Sequence, residues 1–268
     1  MKKINEGYCA ELFETEDRKL LKLYLPGWNE ADVRQEYENT KAVNDLSIPS
    51  PAVFDFVERD GRFGFVMEKL IDDTMLHHIQ KKPLDAITLA KQMARLHHRI
   101  HSIPLDTHPF PAQKDVYLQK IQSRPSLTDA EKAHLTDLLD TLADSDVQRI
   151  CHGDFHPMNI LYQGKQPVVI DWAFSSCGDP RGDVAGTYMI TKLLATASAA
   201  HNRFERFLYN TFTPAFAEIY LKEYLKLSGY TKSEILQWVP IRAATYLDLG
   251  LPAQNNHKLR DMARSLGR

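Results

Sequence analysis

Several classes of protein are excluded by what this sequence lacks. No uninterrupted apolar run approaches the roughly 18 residues needed to cross a bilayer. The start, Met1-Lys2-Lys3-Ile4-Asn5-Glu6, has no apolar core of the kind a secretory signal carries. Both absences predict a cytoplasmic protein with no membrane role. Cysteine is scarce. Cys9, Cys151 and Cys177 are odd in number and lack metal-site spacing, so they read as reduced thiols, with Cys151 in the core. Charge of either sign is not in excess: the formal net charge is -2 at pH 7, which gives no electrostatic case for nucleic acid or an anionic surface. Repeats and low-complexity tracts are absent. Glycine is sparse too, and no Gly-x-Gly-x-x-Gly loop occurs anywhere in the 268 residues.

What the sequence does have is concentrated between His152 and Trp172. It reads His152-Gly153-Asp154-Phe155-His156-Pro157-Met158-Asn159-Ile160-Leu161, a turn at Gln163-Gly164-Lys165, then Pro167-Val168-Val169-Ile170-Asp171-Trp172. Two short apolar strands around a glycine turn predict a hairpin. Asp154 and Asn159 stand at its entry and Asp171 at its exit. That order suits phosphoryl transfer from a nucleotide. One carboxylate meets the attacking hydroxyl, while a carboxamide and a second carboxylate hold Mg²⁺ on the phosphates. The Asp-to-Asn interval of five is that of a protein-kinase catalytic loop.

His-Gly-Asp-x-His-x-x-Asn followed by Ile-Asp-Trp resembles the aminoglycoside phosphotransferase and choline kinase superfamily. The resemblance implies an α+β, two-lobed, protein-kinase-like fold with a small β-rich N-lobe, 1–70, and a larger, mainly helical C-lobe, 71–268. It implies transfer of the γ-phosphoryl group of ATP, or of GTP, to a hydroxyl of a small molecule. Asp154 would be the catalytic residue and Asn159 and Asp171 the Mg²⁺ ligands. His152 would support the loop without doing chemistry. His156, beside the reaction centre, has no role the sequence defines.

Residues 4–25 read as strands. In Lys19-Leu20-Leu21-Lys22-Leu23-Tyr24-Leu25, Lys22 is a cation inside an apolar run. By itself that is an edge-strand lysine. With the Asp154 motif downstream, it reads as the lysine on the α- and β-phosphates. Glu6-Gly7-Tyr8-Cys9-Ala10 falls where a phosphate-covering loop belongs and is glycine-poor, as in the resembled family. A helix is predicted from Asn29 to about Asn44, with Val33, Tyr37 and Val43 on one face. Glu36 lies three residues after Val33 and can turn inward to pair with Lys22; Glu38 is the rival. Strands 53–57 and 63–68 flank an Arg59-Asp60-Gly61 turn. The stretch Met67-Glu68-Lys69-Leu70-Ile71 would be the hinge. There backbone groups at Glu68 and Leu70 would meet the purine edge, with Leu70 as amide donor.

Beyond Thr74 the pattern turns helical. From Leu84 to His101, Ile87, Ala90, Ala94, His97 and Ile100 recur near helical spacing. His97, His98 and His101 invite a metal reading, but no acidic partner accompanies them, and a packing His97 with solvated neighbours is favoured. Residues 104–126 are Pro-rich and read as irregular. Thr128-Asp129-Ala130-Glu131 carries a capping-box pattern, with Leu135, Leu138, Leu139 and Leu142 facing a core.

About a dozen residues separate Asp171 from Asp183. That is too few for a peptide platform, so the acceptor is expected to be small. In Gly178-Asp179-Pro180-Arg181-Gly182-Asp183, Asp183 matches a scaffold residue of the resembled family that holds the catalytic loop; helix capping is the plainer role. Helices are expected over 183–200, 203–227, 231–248 and 251–265. By resemblance they supply much of the acceptor pocket. The acids there, Glu205, Glu218, Glu223, Glu234, Asp248 and Asp261, are scattered among more Lys and Arg, with Asp72 and Asp73 near the hinge. That weakens the rival reading of an aminoglycoside or macrolide resistance kinase. A silent nucleotide-binding pseudokinase is the other rival, which the intact set Lys22, Glu36, Asp154, Asn159 and Asp171 opposes. Acceptor identity and oligomeric state are not written in the sequence.

Overall fold

The computed structural model describes residues 1–7, 9–70, 73–105, 109–143, 146–194 and 203–265. The chain opens with β1 (Lys2–Glu6), β2 (Ala10–Glu14), β3 (Leu20–Tyr24), α1 (Glu30–Asp45), β4 (Val53–Arg59) and β5 (Arg62–Met67). Next come α2 (Met75–Lys81), α3 (Ala86–His101), α4 (Gln113–Gln122) and α5 (Asp129–Leu142). Strand β6 (Arg149–Cys151) precedes the hairpin β7 (Ile160–Gln163) and β8 (Gln166–Val169), and β9 (Ser176–Gly178) follows it. Helices α6 (Pro180–Leu194), α7 (Arg203–Ser228), α8 (Lys232–Leu236), α9 (Val239–Tyr246) and α10 (Ala253–Arg264) complete the chain. The architecture is mixed α+β. Among the described residues, no helix is long and apolar enough to cross a membrane.

The fold divides into two compact units. The first is Met1–His77 with Thr107–Pro109 and Met158–Ser175. Its antiparallel sheet runs β1-β2-β3-β5-β4, and the β7–β8 hairpin belongs to the same unit. Ala10, Tyr24, Val33 and Phe65 form a core between sheet and α1, with Tyr37, Phe56 and Met67 packed on it. Asn29 caps α1 by accepting from the Asp32 amide at 2.9 Å. Gly64 permits the close pairing of β5 with β3, because a Cβ there would collide with the Lys22 carbonyl.

The second unit comprises His78–Asp106, Phe110–Pro157 and Ser176–Arg268. Its core is helix on helix, with α3 against α7 and α6 against both α7 and α9. Strands β6 and β9 pair antiparallel, Ile150 opposite Cys177. Three expectations are corrected here. The stretch 104–126 is not irregular throughout: α4 forms on Gln113, Tyr117 and Ile121, a buried stripe at four-residue spacing. In α3 the inward face is Leu89, Ala90, Met93, Ala94, Leu96, His97 and Ile100, while Ile87 is exposed. The predicted helix 231–248 is two helices, the second starting with Pro240 in its first turn, where a missing amide is tolerated.

The capping box at Thr128 is present, Thr128 and Glu131 bonding reciprocally. Behind it Leu135 and Leu139 are buried, and Leu138 and Leu142 only partly so.

Candidate active site

In the first unit the site is built on β3, α1 and the β7–β8 hairpin. Strand alternation puts Leu21 and Leu23 on one face and Lys22 and Tyr24 on the other. Helix α1 buries Val33, Glu36, Asn39, Thr40 and Val43, a stripe of helical period. That stripe carries Glu36 inward, and Glu38 is exposed. Lys22 Nζ lies 2.7 Å from Glu36 Oε1 and 3.2 Å from Asp171 Oδ1. The Tyr24 hydroxyl donates to the other Glu36 oxygen.

Burial acts against the Lys22 charge, yet Asp171 and Glu36 outweigh it and hold the ammonium well above its usual value. Burial raises the Glu36 carboxyl, with Lys22 opposing and Asp171 adding to the rise. Cys9 stands close by: its thiol is pushed up by burial and by the Asp171 charge. The β1–β2 connection closes with the Gly7 amide on the Ala10 carbonyl at 2.8 Å. Tyr8 lies outside the described residues.

Asp171 follows β8 in the left-handed region, φ 67 and ψ 62. Asp tolerates that conformation better than most residues. Its neighbours fix it. Ile170 N donates to the Asn159 carbonyl at 3.0 Å, which sets the start of β7 beside Asp171. Trp172 is fully buried and donates through Nε1 to the Val169 carbonyl. Asn39 on α1 donates to the Trp172 carbonyl at 3.0 Å. Lys22, Glu36, Asn159 and Asp171 thus share one unit. Asn159 and Asp171 offer hard oxygen donors, the type Mg²⁺ takes.

Glu68 and Leu70 follow β5. The Glu68 amide donates to the Ala52 carbonyl at 2.7 Å, and its carboxylate accepts from the Ala52 amide and from Gln163. Leu70 is partly buried, and Asp72 lies outside the described residues.

In the second unit the loop after β6 is held directly from α6 and α9, and α3 and α7 brace the α6 contact. Asp183, in the first turn of α6 and fully buried, accepts the His152 amide at 2.6 Å and the Gly153 amide at 3.0 Å. Its Oδ2 also meets His97 Nε2 at 3.1 Å and His101 Nε2 at 3.3 Å. The opposite ring nitrogens of these histidines lie 2.7 Å from the hydroxyls of Tyr220 and Tyr224. Burial opposes the Asp183 charge, but the donors from His101 and His97 hold it well below the usual carboxylate range.

The sequence expectation of solvated neighbours for His97 is corrected at His101, which is buried. The missing acidic partner is supplied from a distant helix. His97, His101 and Asp183 bring their donor atoms within 4.8 Å of one another, close enough for a metal. Hydrogen bonding already completes the cluster. Each ring can donate through Nε2–H to Asp183 and accept a tyrosine hydroxyl at Nδ1.

Asp154 follows with Oδ1 accepting from Tyr246 at 2.8 Å and Oδ2 3.3 Å from His156 Nε2. Its amide donates to His152 Nδ1 at 3.2 Å. Arg242, one turn before Tyr246 on α9, donates to the Gly153 carbonyl at 2.6 Å. Burial opposes the Asp154 charge, and His156 with Tyr246 more than offsets it. The carboxyl stays well below its ordinary value. Tyr246, Arg242, Tyr220 and Tyr224 were not identified from sequence. Their one signal was pairing at i, i+4 on aromatic helices, which core packing also produces.

A model of the phosphotransferase enzyme family matches residues 1–236. A search of curated proteins finds no match. Solved structures give similarity of fold. The aminoglycoside phosphotransferase APH(4)-Ia, as a thermostable mutant with AMP-PNP and hygromycin B, is 16% identical over 98% of this chain and 92% of its own, with a TM-score of 0.65. ADP-bound APH(2'')-Ib is 18% identical over 99% and 92%, with a TM-score of 0.59. The choline kinase LicA from Streptococcus pneumoniae is 16% identical over 97% and 92%, with a TM-score of 0.62.

Proposed function

The chain belongs to the phosphotransferase enzyme family, and we propose how its own residues divide the transfer of a γ-phosphoryl group from a purine nucleotide to a hydroxyl of a small molecule. The enzyme is a small-molecule kinase, and its nucleotide is ATP, with GTP the other donor that backbone contacts at Glu68 and Leu70 would accept. The observation that carries this reading is the Lys22 ammonium held between Glu36 and Asp171. A cation fixed on its stem is what an α/β-phosphate pair needs.

Asn159 and Asp171 would hold Mg²⁺; when bound, it neutralises phosphate charge. Glu36 positions Lys22. Since the Glu68 amide is engaged with Ala52, Glu68 would offer its carbonyl to the purine and Leu70 its amide. Asp154 is ionised, so it can accept the proton of the acceptor hydroxyl. The acceptor oxygen forms a bond to γ-phosphorus as the bond to the bridging β-oxygen breaks. The proton passes to Asp154, and the nucleoside diphosphate leaves. His152 and Asp183 hold the loop in place. Most of the acceleration comes from positioning and charge.

The test is nucleotide turnover with Mg²⁺ against a panel of small hydroxyl compounds, with Asp154→Asn as the blank. Turnover with a panel compound, reduced by about 10²–10⁴-fold in the variant while nucleotide affinity is kept, supports the roles given. Equal turnover by both proteins would overturn the role of Asp154.

A further inference from the structure

The backbone around Asp154 is pinned at every turn. Asp183 accepts the His152 and Gly153 amides, and the Asp154 amide donates to His152 Nδ1 at 3.2 Å. Gly153 takes φ 81, a conformation open to glycine, and its carbonyl accepts from Arg242 at 2.6 Å. These contacts place the residue but leave its carboxylate to rotate. The terminal torsion of an aspartate is soft and roughly two-fold, so a side-chain partner has to set it.

Helix α9 supplies that partner. The Tyr246 hydroxyl lies 2.8 Å from Asp154 Oδ1 and 3.1 Å from the Gly153 carbonyl. A phenol has one proton for these two acceptors. Arg242, one turn earlier on the same face, decides between them. Its Nη2 donates to the Gly153 carbonyl and lies 3.3 Å from the Tyr246 oxygen. The carbonyl is thus already served, and the ionised carboxylate is the nearer and stronger acceptor. Burial, with the Asp154 charge next, pushes the Tyr246 phenol well above its ordinary value against the pull of Arg242, so it keeps the proton that it donates. Arg242 is itself seated closely. A Cβ at Gly186 on α6 would collide with its guanidinium, and the Tyr117 ring lies 4.7 Å from it on another side.

Packing alone does not call for a tyrosine here. The Tyr246 ring is only partly buried, and a phenylalanine would fill the same space. The hydroxyl is the part that engages the loop. It holds one carboxylate oxygen, and the other faces His156 Nε2 at 3.3 Å.

We infer that Tyr246 is a positioning residue for Asp154, its hydroxyl on Oδ1 setting the angle at which the carboxylate meets the acceptor hydroxyl. This rests on the kinase reading of the same site.

The test is a double-mutant cycle on nucleotide turnover with Mg²⁺, run with the panel of hydroxyl compounds and with water alone as acceptor. γ-Labelled nucleotide makes the residual rates readable. Four proteins are compared: the parent, Tyr246→Phe, Asp154→Ala and the double variant. Tyr246→Phe is expected to lower kcat about 10–10²-fold while KM for the nucleotide is kept. On the Asp154→Ala background the same substitution should change turnover by less than about twofold, because a residue acting through Asp154 has nothing left to act on. An equal fall on both backgrounds, or no fall in the parent, overturns the positioning role and leaves the kinase reading standing. A parent that consumes no nucleotide with any acceptor, water included, overturns the kinase reading and this role with it.

Discussion

Two buried charge clusters lie in the two units, and they are built oppositely. Around Lys22, one cation faces two carboxylates, Glu36 and Asp171, so the cluster carries surplus negative charge. Its Asp171 end is open, with the side chain 42% exposed. Around Asp183, one carboxylate faces four N–H donors, two from the backbone and two from imidazoles, and it is closed, with the side chain 1% exposed. Desolvating a charge is costly unless partners replace the water. The closed cluster replaces it completely within the protein. The open one leaves an acidic edge, which is what a cluster shared with a charged ligand requires. The difference is the one that the proposed roles require, an open edge for a ligand and a closed shell for a brace.

Breaking the open cluster should injure binding and spare the fold. Asp171→Asn keeps the shape and the left-handed tolerance while removing the surplus charge. Lys22 keeps Glu36. Mg²⁺-dependent nucleotide affinity should fall about a hundredfold or more, measured by calorimetric titration, with the melting temperature little changed. Breaking the closed cluster should do the reverse. Asp183→Ala strands two backbone amides and two imidazole donors, and removing one side of a buried charge network costs about 3–5 kcal/mol. Denaturant unfolding should show that loss. If Asp183→Ala folded normally and lost only turnover, the brace reading would fail.

The open cluster was the legible one. Lys22 stands out as a cation in an apolar strand, Glu36 follows from the spacing to Val33, and Asn159 and Asp171 bracket a readable hairpin. Each rests on a local pattern of period two or 3.6. The closed cluster needs residues from the loop after β6 and from α3, α6 and α7, and no local pattern joins them. His101 therefore read as solvated, since Asp183, 82 residues away, is what makes its burial affordable. Arg242 and Tyr246 reach Gly153 and Asp154 across about ninety positions. Helix α4 was hidden for another reason. It follows Pro104, Pro109 and Pro111, and its stripe includes a buried Gln113 that bonds the Asp179 backbone. A glutamine in a core stripe carries no hydropathic signal.

The closed cluster also sets a pH dependence. Burial, with the His101 charge adding to it, depresses His97 to about 3. In the unfolded chain a histidine titrates near 6.5. Between these values the unfolded state binds the extra proton, so stability falls as pH falls from about 6.5 toward 3. The slope approaches one proton, about 1.4 kcal/mol per pH unit. Asp183, also depressed, adds loss in the same direction once the pH drops below the ordinary carboxylate range. Chemical denaturation from pH 7 to 4 measures this. A flat profile would mean that His97 keeps its proton in the fold and that the cluster is an ion pair after all.

The smallest effect expected is at a cap distant from both clusters. Thr128 accepts the Glu131 amide at 3.3 Å, and Glu131 accepts the Thr128 amide at 2.8 Å. Thr128→Ala removes the first of these bonds and strands one helix-end amide, a loss of about 1 kcal/mol. Because α5 supplies neither cluster, turnover and nucleotide affinity should match the parent at a temperature where both are folded. Differential scanning calorimetry with parallel kinetics checks both halves. A kinetic change would show that strain at the α5 entrance reaches α4, against which α5 packs, and through it α9. The comparison would then need a third region, coupled to the loop that carries Asp154.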